Sequence, residues 1–259
     1  IMRNKIILAI IILAVVLGAV GFWYYQRNVY SKDILKLEIL GPSEATLVEE
    51  IEYTVKYKNN GNVRLEEPRL VFEYPSYSIP SEGNSLRQEV ILEDIYPGQE
   101  ETFHFKGRLL GSQGEIKKAN AWLSYQPKNL QARYESETSH ATQIKNVPLT
   151  LDFDLPSKIE SGKENSFRLN YFSNADYPLS NLGIRIEYPD DFEFQSASPS
   201  PLDESEWEIG LLNKAEGGRI EIEGVIRGEV EEEKLFKAQL GSWQDGEFVL
   251  LKESIRAVK

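Results

Sequence analysis

The chain has 259 residues, 41% of them hydrophobic and 11% aromatic, with no cysteine, one methionine and a formal net charge of −12. Lacking cysteine, it has no disulfide framework, thiolate metal site or thiol nucleophile, and its acidic balance repels phosphate backbones, which sets nucleic-acid binding aside. The length exceeds one compact domain of about 100 to 150 residues and suits two, with a short appendage.

From Ile6 to Tyr25 run 20 consecutive residues without a charge. As a helix rising ~1.5 Å per residue they would cross ~30 Å of hydrocarbon. Arg3 and Lys5 precede the run, and Trp23, Tyr24 and Tyr25 close it, where amphipathic rings prefer the lipid headgroup level. The expectation is a cytoplasmic tail at 1–5, a transmembrane helix at 6–25 and a juxtamembrane stalk at 26–34. A cleaved signal peptide is the competing reading, with Ala19-Val20-Gly21 as a weak cleavage site. The full membrane length and the aromatic end favour a retained anchor. Basic residues on both sides leave orientation undecided by charge. A short tail followed by a long translocated region is the usual signal-anchor arrangement, which puts the bulk of the chain outside the cytoplasmic membrane of a prokaryote.

The rest of the chain repeats itself. Leu37 to Pro75 align without a gap on Leu151 to Pro189, with ten of the 39 positions identical. Matches include Pro42/Pro156, Tyr57/Tyr171, Asn60/Asn174, Leu65/Leu179 and Glu73-Tyr74-Pro75/Glu187-Tyr188-Pro189; after a three-residue shift Gly107/Gly224, Gly111/Gly228, Ala121/Ala238 and Leu123/Leu240 follow. Self-similarity at a fixed offset is the signature of duplicated units. Within each copy the hydrophobic period is two, as in strands with one buried face. Leu35, Leu37 and Ile39, then Ile51, Tyr53, Val55 and Tyr57, alternate with polar residues, and so do Phe167, Leu169 and Tyr171 in the second copy. Asn59-Asn60-Gly61-Asn62, Pro97-Gly98, Ser173-Asn174-Ala175-Asp176 and Gly217-Gly218 mark turns. The pattern predicts an all-β chain with two tandem immunoglobulin-like β-sandwich domains, at 35–145 and 146–259, joined by a short linker near Gln143 to Asn146.

The segments YTVKYKNNGN (Tyr53 to Asn62) and YPGQEETFHFKG (Tyr96 to Gly107), with an apolar strand running into Tyr-Pro between them, resemble the immunoglobulin-like conserved repeats of bacterial and archaeal surface proteins, a CARDB-like class. FRLNYFSNAD (Phe167 to Asp176), YPDDFEFQSASPSP (Tyr188 to Pro201) and WEIGLL (Trp207 to Leu212) are similar in the second copy, which departs from the pattern where Lys214-Ala215-Glu216 replaces the Pro-Gly turn. The resemblance implies extracytoplasmic, often adhesive or scaffolding roles and brings no catalytic residues with it.

Candidate chemistry is sparse. His104 alternates with Phe103 and Phe105 and is expected to face solvent, and His140 lies near the linker. The chain contains no Gly-x-Ser-x-Gly elbow, HExxH, GxGxxG or phosphate loop. No catalytic, cofactor-binding or metal residue is assigned, and a hydrolytic enzyme built on surface carboxylates is the least favoured function. Acidic clusters occur at Asp190-Asp191, at Asp203-Glu204-Ser205-Glu206, and at Glu229 with Glu231-Glu232-Glu233. None has EF-hand spacing, and a solvated surface that discourages strand-edge aggregation accounts for them. Trp207 alternates with Ile209 and Leu211 and is expected in the core. Trp122 is different, because Ala119, Ala121, Leu123 and Tyr125 form the apolar face of its strand and leave it on the other side. An outward tryptophan is covered by a loop or the second domain, or it contacts a partner or a sugar. The function expected is a membrane-anchored, non-catalytic scaffold or adhesion-type module that binds a surface or envelope protein, with Trp122 as the candidate contact. A self-associating structural subunit of a cell-surface assembly or filament is the alternative.

Overall fold

The computed structural model describes residues 12–22, 34–229 and 231–259. Residues 12–22 are helical, and among the described residues no helix is long and apolar enough to cross a membrane. The span expected at 6–25 lies partly outside the described residues, as do the tail and nearly all of the stalk.

Everything regular from Leu35 onward is strand. The first half holds β1 (Leu35–Leu40), β2 (Glu44–Thr46), β3 (Glu50–Asn59), β4 (Leu65–Glu73), β5 (Ile79–Pro80), β6 (Arg87–Ile91), β7 (Glu100–Arg108), β8 (Ile116–Pro127) and β9 (Tyr134–Asn146). The second holds β10 (Leu149–Asp154), β11 (Glu164–Ser173), β12 (Leu179–Glu187), β13 (Phe192–Ser198), β14 (Glu206–Leu212), β15 (Glu216–Ile226), β16 (Lys234–Gln244) and β17 (Glu247–Val258). The period-two pattern is what buries one face of each. Ile51, Tyr53, Val55 and Tyr57 point into the core from β3, and Phe167 and Leu169 do so from β11.

The first half forms two sheets, in the orders β1-β3-β7-β5 and β2-β9-β8-β4-β6; the second half forms β10-β11-β15-β13 and β14-β12-β16-β17. Strand for strand these are the same arrangement, and among the described residues β2 alone lacks a counterpart. The fold is all-β, with paired sheets closing over apolar inner faces as in a β-sandwich.

Duplication extends to backbone details. Positive φ angles recur at matched positions: Val48 (+53°) with Gly162 (+77°), Glu67 (+47°) with Asn181 (+53°), Gly98 (+80°) with Ala215 (+61°), and Gly114 (+88°) with Glu231 (+65°). β4 slips against β8 between Glu66 and Arg69 and β12 slips against β14 between Leu179 and Leu182, so the matched strands are irregular at the same point of the chain, each against a different neighbour. Side-chain caps recur as well. Tyr96 N donates to Gln99 Oε1 (2.9 Å) and Asn213 N to Glu216 Oε2 (2.8 Å), while Ser112 N donates to Glu115 Oε2 and Glu229 N to Glu232 Oε2, both at 3.0 Å.

Two expectations are corrected. Gln143 to Asn146 are not a linker: they end β9 and pair in parallel with β2, which leaves Val147-Pro148 as the step between the halves. In β14 the expected alternation fails at Gly210, whose φ of +76° turns the strand, so Trp207 and Leu212 are buried while Leu211 is 58% exposed. Between the halves, Arg108 stacks on the Tyr177 ring at 4.6 Å and Tyr77 donates its hydroxyl proton to Glu247.

Candidate functional site

The sheet β2-β9-β8-β4-β6 turns its outer face to solvent. On β8 the inward residues Ala119, Ala121, Leu123 and Tyr125 are fully buried, which fixes Trp122 outward as the alternation requires. Across the sheet Trp122 stands opposite Val71 on β4 and Glu137 on β9, and Val71 stands opposite Glu89 on β6. These side chains form one outward row with the indole near its middle. Arg87 of β6 places its guanidinium 5.5 Å from the centre of the indole ring, a cation–π distance. No strand of the second half packs substantially on β8. Trp122 is therefore half-buried by its own sheet, and a shallow hollow beside it is lined by Lys118, Asn120, Glu137 and Ser139.

The matching face of the second half carries a second aromatic–cation group, which no sequence motif marks. Arg185 of β12 lies 4.5 Å from the Trp243 ring centre and 4.4 Å from that of Phe248, and it donates to Glu206 Oε2 at 3.2 Å. Trp243 and Phe248 are register partners across β16 and β17 and meet edge to face at 5.4 Å. Gly183 and Gly241 make the room: a Cβ on Gly241 would stand 2.6 Å from the Phe248 ring. Leu240 and Ser242 are buried and Trp243 faces out between them and the turn, but no local spacing in the sequence marks the group it joins.

The histidines take structural positions. His104 is exposed, with Nδ1 2.8 Å from Glu52 Oε1 and 3.2 Å from Thr54 Oγ1. That bond to His104 is the main reason the Glu52 carboxyl is held below its ordinary value. His140 lies on β9 and its Nε2 donates to Pro42 O at 3.1 Å. Trp207 is in the core, donating to Pro199 O at 3.0 Å. The acidic clusters are drawn into local bonds. Asp191 and Glu232 both pair with Lys234, and Asp203 accepts from Ser205. Among the described residues no three His, Asp or Glu side chains group as a metal site.

No family model matches the chain, and no curated protein matches it in sequence. Among solved structures it is similar to red sea bream transglutaminase, at 11% identity and a TM-score of 0.41, covering 92% of this chain and 32% of that one. It is also similar to Salmonella alpha-2-macroglobulin reacted with methylamine, at 10% identity and a TM-score of 0.35, covering 86% and 16%. Elastase-activated Escherichia coli alpha-2-macroglobulin gives 10% and 0.32, covering 88% and 22%. The chain thus spans about a third of the transglutaminase and less of the macroglobulins.

Proposed function

We propose that the chain is a membrane-anchored extracytoplasmic scaffold or protein-binding module of the CARDB-like kind, working without catalysis. In this reading two tandem immunoglobulin-like sandwiches stand behind an N-terminal transmembrane anchor, and the first presents the β8 face to a surface or envelope protein. Trp122 is the observation that carries it. A large aromatic held outward in the middle of a polar sheet face, backed by an arginine and left uncovered by the second half, has the character of an interface anchor, for which tryptophan and arginine are enriched.

Topology tests the location. The chain has no native cysteine, and the Lys163 side chain is 70% exposed in the turn before β11. Lys163→Cys in the full chain should react with a membrane-impermeant maleimide in intact spheroplasts. Labelling that appears only after lysis would place the sandwiches on the wrong side and end the proposal.

A second reading, a self-associating subunit of a surface assembly, is favoured by β17. It is twelve residues long and closes its sheet with no strand beyond it among the described residues, so its outer main-chain groups form an open ladder. Lys252, Glu253 and Arg256 along that strand oppose indiscriminate pairing.

A further inference from the structure

None of the four sheets contains strands from both halves, so no ladder fixes how the two sandwiches are set against each other. Relative motion is the default for such neighbours unless other contacts oppose it. Three attachments do. The first is the connection itself. Leu47 N of the first half donates to Asn146 O, and Asn174 N of the second to Pro148 O, both at 2.8 Å. Only Val147 stands between those two carbonyls; it is buried, and the proline ring fixes the φ that follows it.

The second attachment is Arg108. Its guanidinium donates to Glu50 Oε2 at 3.0 Å and lies 4.6 Å from the centre of the Tyr177 ring. The third is Tyr77, whose ring centre lies 5.5 Å from Lys117 Nζ and whose hydroxyl donates to Glu247. Glu247 is held at the tip of the β16–β17 hairpin by the two-residue turn Asp245-Gly246, with φ of +50° and +85°.

The duplication shows which of these residues are special to the junction. Lys117 is buried and pairs with Glu115 at 2.6 Å; Lys234, its match, pairs with Glu232 at 2.6 Å and with Asp191. Asp191 holds the position of Tyr77, because Ser78 N bonds Pro75 O as Phe192 N bonds Pro189 O. Both copies thus keep the lysine seat, but only the first covers it with a side chain that reaches the other half. Arg108 stands opposite Glu50 where Val225 stands opposite Glu164. Tyr177 precedes Leu179 by two residues, as Val63 precedes Leu65. At each of these positions the copy that faces the junction carries the reaching side chain, and the other carries Asp or Val.

We propose that Arg108–Tyr177 and Tyr77–Glu247 lock the two sandwiches into one rigid body at a fixed angle, with Tyr77 as the residue that closes the lock. The connection and the Arg108–Tyr177 pair line one cleft between the halves, and Tyr77 and Glu247 lie outside it. A hinge about the first two attachments would therefore part the third. The faces carrying Trp122 and Trp243 are held in one set relation, and the lock is independent of what either face binds.

Thr102 on β7 and Ser166 on β11 are exposed, and each stands ~20 Å from the junction along its strand at ~3.3 Å per residue. Because the chain has no native cysteine, spin labels at Thr102→Cys and Ser166→Cys in the full chain report the separation of the halves directly. The labelled chain should give a single narrow distance distribution. Tyr77→Asp with Arg108→Val gives the first copy the residues of the second, and should broaden the distribution about twofold as free relative motion returns. Tyr77→Phe with Arg108→Val keeps the ring over Lys117 and removes only the hydroxyl, and should broaden it as well. A distribution that is already broad before either pair of substitutions, or one that stays narrow after both, overturns the proposal.

Discussion

Ala215 holds a left-handed backbone, φ +61°, at the position where Gly98 stands at +80° in the first copy, and the two amides make the same bond, Gly98 N to Asn59 O (2.7 Å) and Ala215 N to Ser173 O (2.8 Å). Such a conformation costs an L-residue about 1 to 2 kcal/mol, a cost that glycine avoids while losing some unfolded-state entropy. Ala215→Gly should therefore stabilise by about 0.5 to 1 kcal/mol, and thermal unfolding should show a midpoint raised by about 2 °C. Gly98→Ala should shift it the other way. No atom lies within 4 Å of a Cβ at Gly98, so the cost there is backbone strain alone.

Gly224 answers to space and not to φ. A Cβ there would stand 2.3 Å from Phe192 Cζ and 2.6 Å from the main-chain oxygen of Glu193, whereas at the matched Gly107 the Tyr74 ring is 3.0 Å away and the main-chain oxygen of Ile79 3.1 Å, half an ångström farther than that of Glu193. Rings can shift, but a paired strand's carbonyl cannot do so cheaply. Gly224→Ala should cost about 1 to 3 kcal/mol by chemical denaturation, and Gly107→Ala clearly less.

These two positions show what could be read from the sequence. The glycines aligned because each copy needs close approach at the same strand crossing, and the alternation on β8 gave the orientation of Trp122 correctly. Packing devices that join several strands were invisible. The Arg185–Trp243–Phe248 group depends on Gly183 and Gly241 lying side by side on neighbouring strands, and a pairing of that kind has no local spacing. Leu211 was misplaced because one positive φ at Gly210 reverses every later side chain of β14. The junction was misjudged because β2, three residues long, extends the ladder of β9 to Asn146.

Alkaline pH should weaken the fold through its buried phenols. Burial, reinforced by the charge of Glu82, pushes the Tyr74 hydroxyl up to about 12 from its ordinary value near 10, and Tyr57 and Tyr188 are raised further, mainly by burial. A group whose folded pKa is raised keeps its stabilising share below the unfolded pKa and loses it as pH climbs towards the folded one. Stability should therefore fall between about pH 10 and 12. Tyr74→Phe removes the bond to Lys106 O (3.0 Å) and should cost about 1 kcal/mol at neutral pH. The difference from the parent chain should narrow and then reverse as pH rises through that window. A constant difference, measured by urea unfolding across the range, would count against this assignment.

The binding proposal rests on Trp122, and a photo-crosslinking residue at Glu137, its register partner on β9, interrogates that face in living cells. A discrete crosslinked envelope protein is expected. Trp122→Ala should abolish it through a loss of about 2 kcal/mol, roughly thirtyfold in affinity. Thermal stability should fall by much less than the ~3 to 5 kcal/mol typical of a truncated core aromatic. No crosslinked species, a species indifferent to Trp122→Ala, or a collapse of the midpoint on that substitution would contradict the role of this face in binding.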